Sequence, residues 1–127
     1  MSNKKILAFD LDDTLCFRPK EKESLGIDKY HYCEPIQEMI DLSNSLYDKG
    51  HTIYIYTARG MHTLNGDVKE IYAKLYDITL NSLEKWGVKH SGLYMGKIHY
   101  DLLIDDKAMG LDEAKIKLKS LLWKIGQ

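Results

Sequence analysis

Two pairs of acids in this chain sit where chemistry is expected. The first is in Asp10-Leu11-Asp12-Asp13-Thr14, which ends an apolar run. In an extended chain, side chains two apart share a side, so Asp10 and Asp12 aim at one point. Two carboxylates so close repel unless a cation or proton lies between them, and Mg²⁺, which prefers oxygen, meets that need. A helix cap or solvated turn accounts for Asp13 but not for an acid ending an apolar run. The second pair is Asp105-Asp106, after Leu102-Leu103-Ile104. Asp105 is the natural third metal oxygen, with Asp106 turned away to orient ligands. Lys97 can pair with the acids and hold an anionic substrate. Thr57-Ala58-Arg59 offers a hydroxyl, backbone N–H groups and a guanidinium, which together take phosphate oxygens.

These groups need strand ends to hold them. Residues 4–10, 51–57, 92–96 and 101–105 read as short strands bounded by polar or glycine residues. Between and after them, residues 34–49, 67–86 and 111–125 carry apolar residues at steps of three and four. Pro35 and Gly50 punctuate the first of these helices, and Gly87 stops the second. Alternating strands and helices predict an α/β fold with a Rossmann-like parallel sheet flanked by helices. The carboxyl ends of such strands are where ligands bind. Residues 17–33 break the alternation with the charge run Arg18 to Glu23 and then Tyr30-His31-Tyr32. They read as a solvated loop or as a short flap over the first strand, its tyrosines and His31 stacked on a sugar or base or, as the expected reading, packed on the core.

Composition frames what these groups serve. The 127 residues suit a single domain, 1–127, and 18 basic against 19 acidic residues leave a net charge of −1. That balance argues against a general nucleic-acid binder. Cys16 and Cys33 have no zinc-type spacing and read as a reduced pair, as expected in the cytoplasm. No apolar run is long enough for a secretion signal or membrane span. His51, His62, His90 and His99 show no metal-ligand spacing. His62 and Asn65, in the loop after Thr57, are candidates for substrate contact.

The ordered set of Asp10-Leu11-Asp12-Asp13-Thr14, Thr57, Lys97 and Asp105-Asp106 resembles the four motifs of the haloacid dehalogenase superfamily of phosphohydrolases. The stretch Thr57 to Gly66 looks like small bacterial phosphatases of capsule or surface-polysaccharide biosynthesis. Ile98, where that branch often has proline, and Asp67-Val68-Lys69-Glu70 depart from its pattern. The resemblance implies a Mg²⁺-dependent phosphomonoesterase acting on a small phosphate ester, such as a sugar, polyol or amino-alcohol phosphate. Asp10 would be the nucleophile, forming an aspartyl-phosphate, and Asp12 the acid and base. The ion would be held by Asp10, the Asp12 backbone carbonyl and Asp105. Thr57 and Lys97 would neutralise phosphoryl oxygens, Thr14 would order the loop, and Arg59 would touch substrate or lie on the surface. Too few residues separate the motifs for a cap domain, so the site is expected to be open, or covered by a homo-oligomeric neighbour. A 3′-phosphatase for nucleic-acid ends and a receiver-like phosphoacceptor module are the competing readings. The receiver fits less well, because no middle strand ends in aspartate.

Overall fold

The structure, a computed structural model, describes residues 4–126, with side chains to Leu122. Three parallel strands, β1 (Ile6–Asp10), β4 (Thr52–Tyr56) and β5 (Gly92–Tyr94), lie in the order β1-β4-β5. Asp10 is in register with Tyr56, and Tyr56 with Tyr94, so the three carboxyl ends finish level. Between β1 and β4 come the antiparallel pair β2 (Cys16–Phe17) and β3 (Glu34–Pro35), then helix α1 (Gln37–Asp48). Helix α2 (Val68–Lys85) links β4 to β5, and α3 (Leu111–Gly126) packs on α1. This is the expected α/β arrangement, a small parallel sheet flanked by helices. None of the described helices is long and apolar enough to cross a membrane.

Each helix forms for a visible local reason. Asp67 caps α2 by accepting the Glu70 N–H at 3.2 Å. The apolar stripe of α2, Ile71, Leu75 and Leu83, is fully buried, as are Ile40 and Leu46 of α1. Ile53 and Ile55 of β4 alternate inward and are fully buried. Leu118 of α3 is buried as its periodicity predicts, whereas Ile125 lies outside the described side chains.

The sequence reading needs correction in two places. Residues 101–105 are not a strand: Leu102, Leu103 and Ile104 are 76%, 46% and 87% exposed. Asp105 instead accepts the Lys107 N–H at 2.7 Å, a local turn that competes with extension into a sheet. Among the described residues, β1 is therefore an edge strand, with Ile6 73% exposed. Secondly, the flap is ordered. Residues Lys20–Tyr32 form tight 3₁₀ turns joined at Gly26, where φ is +63°. Tyr30 is buried and its hydroxyl accepts the Gly60 N–H at 3.0 Å, tying the flap to the loop after β4. Tyr32 stays exposed, contrary to the expected packing.

Candidate active site

The level strand ends open into a cleft of about 420 Å³. Its lining includes Asp10, Asp12, Arg18, Arg59, His62 and Lys97. Asp10 ends β1, and Lys97, 87 residues later, reaches it with Nζ 3.2 Å from Oδ1. The turn that delivers Lys97 is built by Gly96 (φ +87°) and by the Lys97 N–H donating to the Thr57 carbonyl at 3.1 Å. Burial pushes the Asp10 carboxyl above its ordinary value, and the Lys97 charge opposes that rise. Burial also works against the Lys97 charge, but the Asp10 carboxylate and the Tyr100 hydroxyl together hold its ammonium more firmly than usual.

Asp12 lies one turn further into the loop. Asp13, at φ +66°, reverses the chain there, and Leu15 and Cys16 both return their N–H groups to the Leu11 carbonyl. The Asp12 carboxylate accepts from Nε and Nη2 of Arg59, each at 3.0 Å, and from Arg18 at 3.2 Å. The Arg59 side chain is fully buried. Its Nη1 donates to Thr79 of α2, its Nη2 to Cys33 Sγ at 3.3 Å and Cys16 Sγ at 3.6 Å, and the Tyr30 ring stacks on it. Burial opposes the guanidinium charge, and the Asp12 carboxylate together with the two cysteines holds it above its ordinary value. The two thiols titrate in opposite directions. Cys33 is lowered to about 7 by the hydrogen bond shared with Cys16, and Cys16 is raised by that bond and by its burial.

Several expectations change in consequence. Arg59 is neither a surface residue nor free for substrate, because its guanidinium is spent on Asp12, Thr79 and the thiols. Thr57 is buried beneath the cleft, outside its lining, where Oγ1 accepts the Arg59 N–H at 3.1 Å. As placed, it shapes the Thr57-Ala58-Arg59 turn rather than meeting a ligand. Thr14 orders the loop through its N–H on Leu11 and does not line the cleft. Asn65, at φ +53°, shapes an exposed turn away from it. His62 does line it, with His99 at a ring separation of 6.4 Å. Asp105 and Asp106 are exposed and outside the lining, so the sheet brings together Asp10, Asp12 and Lys97 but not the second acid pair. Arg18, Tyr30 and the cysteines are the site's additions. The flap reading of residues 17–33 places Arg18 and Tyr30 near the first strand, but the two-residue β2–β3 pairing that brings Cys16 and Cys33 together is barely signalled in sequence.

The acids also meet part of what a divalent ion needs. The Asp10 carboxylate, at the end of β1, takes Lys97 on Oδ1 and a backbone hydrogen bond from Leu11. The Asp12 carboxylate is taken up by two arginines, so the Asp12 carbonyl is the oxygen it could offer.

No family model and no curated protein matches this chain. Among solved structures it is similar to a crystal structure of a structural-genomics target from Vibrio cholerae. The two are 28% identical, with a TM-score of 0.75 over 95% of this chain and 98% of that one.

Proposed function

We propose that this chain is a phosphomonoesterase of the haloacid dehalogenase type, lacking a cap domain and working on a small phosphorylated metabolite in the cytoplasm. The observation that carries the reading is the Asp10–Lys97 pair at 3.2 Å, beside Asp12, in one cleft at the carboxyl ends of parallel strands. Asp10 is the nucleophile: its carboxylate attacks phosphorus while Lys97 balances charge on the phosphoryl oxygens. Asp12 passes a proton to the leaving alcohol and takes one from the attacking water. Arg59 sets the angle of the Asp12 carboxylate, and Arg18, at the cleft edge, is the partner that yields when a proton is carried. Asp10 and the Asp12 carbonyl would hold Mg²⁺, which supplies charge neutralisation at the phosphoryl group.

The finer fold of this proposal, a core of the haloacid dehalogenase type, is supported by two unfinished surfaces. The outer edge of β1 and the exposed run Leu102-Leu103-Ile104 are each without a ladder partner among the described residues. A core of the haloacid dehalogenase type would need the turn at Asp105 to open so that this run pairs with β1, covering Ile6 and bringing Asp105 toward the end of β1. A surface-polysaccharide precursor suits the open cleft and its polar rim of His62, Thr63 and His99.

The test is hydrolysis of an aryl phosphate with and without Mg²⁺, by the native chain, Asp10→Asn and Asp12→Asn. Mg²⁺-dependent turnover lost in Asp10→Asn is expected. Turnover without metal, or an Asp10→Asn variant as active as its parent, would overturn the mechanism. A native chain that only accumulates a stable acyl-phosphate would point to a receiver.

A further inference from the structure

The two cysteines take no part in this chemistry, yet they sit beneath it. Cys16 pairs with Pro35 across the β2–β3 ladder, so Cys33, two residues before Pro35, stands diagonally across on the same face. The two sulfurs and an Asp12 oxygen all lie within 4.8 Å of one another. Cys16 is fully buried and Cys33 only partly so, the arrangement in which one sulfur meets a small oxidant and the other waits behind it.

Three such ligand atoms could also suggest a soft metal. The buried Arg59 guanidinium argues against that: it already donates to Cys16, Cys33 and Asp12, so a positive charge holds the centre of the trio. A cation would have to displace a side chain that is fully enclosed. Bond formation between the sulfurs asks for no new charge. A disulfide needs the sulfurs about 2.05 Å apart, which side-chain rotation and a small shift of the two-residue strands can supply.

We propose that Cys16 and Cys33 are an oxidative modification site, closing to a reversible disulfide when the chain meets a hydroperoxide. Cys33 sulfur attacks the O–O bond, which breaks. Cys33 becomes a sulfenic acid, and its thiol proton leaves with the departing oxygen as water (or as alcohol, from an organic peroxide). Cys16 sulfur then attacks the Cys33 sulfur, and its proton departs with the hydroxyl as water. Two thiols are oxidised and one peroxide is reduced. The new bond ties both ends of the flap together and removes the Cys16 thiol hydrogen that faces the Asp12 carboxylate at 3.5 Å. The flap is then held closed over Asp12 and cannot release Arg18. That effect on turnover rests on the phosphatase reading; the disulfide itself does not.

The experiment exposes the reduced full chain to a stoichiometric amount of hydrogen peroxide, then alkylates it and measures intact mass. The expected product has lost two hydrogens and takes up no alkyl group, and dithiothreitol restores two alkylatable thiols. Cys16→Ser should instead leave Cys33 gaining oxygen. The site is overturned if both native thiols stay alkylatable, or if native Cys33 gains oxygen while Cys16 remains free. Aryl-phosphate turnover of the oxidised chain should fall by about tenfold or more and recover on reduction. A disulfide with undiminished turnover would overturn the locked flap. A disulfide in a chain that hydrolyses nothing even when reduced would sustain the site and count against the phosphatase alone.

Discussion

Arg59 and Asp12, 47 residues apart in sequence, meet through Nε–Oδ2 and Nη2–Oδ1 contacts of 3.0 Å each, the forked geometry that only a guanidinium supplies. This pair fixes a carboxylate that would otherwise swing freely on a loop. Arg59→Ala leaves that carboxylate partly buried with Arg18 alone and should cost about 3 kcal/mol in urea unfolding. Arg59→Lys, which cannot fork, should recover less than half of that loss. An Arg59→Ala chain as stable as the parent would remove the pillar from the account.

Lys97 is tested by separating binding from chemistry. Lys97→Met keeps length but removes the charge beside Asp10, and should lower kcat for an aryl phosphate by about 10²-fold or more. Lys97→Arg should restore part of it. An unchanged kcat would show that the 3.2 Å contact is a resting salt bridge only.

His51 gives a pH dependence remote from the cleft. Its Nδ1 accepts the Lys5 N–H at 3.0 Å, and its buried Nε2 has no partner among the described residues. Burial first, then the Lys4 and Lys5 charges, hold its pKa below the ordinary 6.5. A group lowered in the folded state contributes stability above its unfolded pKa, and that contribution drains away as pH falls through the folded value. The urea midpoint should therefore fall as pH is lowered from 7 to about 5, and His51→Asn should flatten that slope. An equal slope in both chains would place the acid sensitivity elsewhere.

Gly60 tests the turn behind Arg59. Its φ is +79°, and a Cβ there would sit 2.6 Å from Leu75 Cδ1 and 3.1 Å from Ile71 Cγ1, both on buried side chains of α2. Gly60→Ala should cost about 1–3 kcal/mol by strain and overpacking. A loss of under half a kcal/mol would show that the turn yields easily.

The sequence carried the parts governed by local rules. An apolar run ending in alternating acids put Asp10 at the close of β1 with Asp12 in the loop just beyond, and Gly87 and Asp67 bounded α2 to within a residue. Arg59 escaped because its role depends on an acid 47 positions away. A buried arginine and a surface one look alike in sequence. Residues 101–105 misled because three apolar residues between aspartates fit a strand, while Asp105 and Lys107 fit a turn equally well, and the turn prevails here.

The bond between Tyr30 and Gly60 has a use of its own. Gly60 donates its backbone N–H to a phenol that belongs to the flap, 30 residues earlier in the chain. That hydrogen can trade with deuterium from solvent only when the tyrosine withdraws, so one amide signal keeps time for the flap's excursions. A ligand seated beneath the flap should slow this clock, and a ligand bound outside should leave it running. The choice between a substrate that the flap encloses and one too bulky for it can thus be read at a single backbone position, before any product is measured.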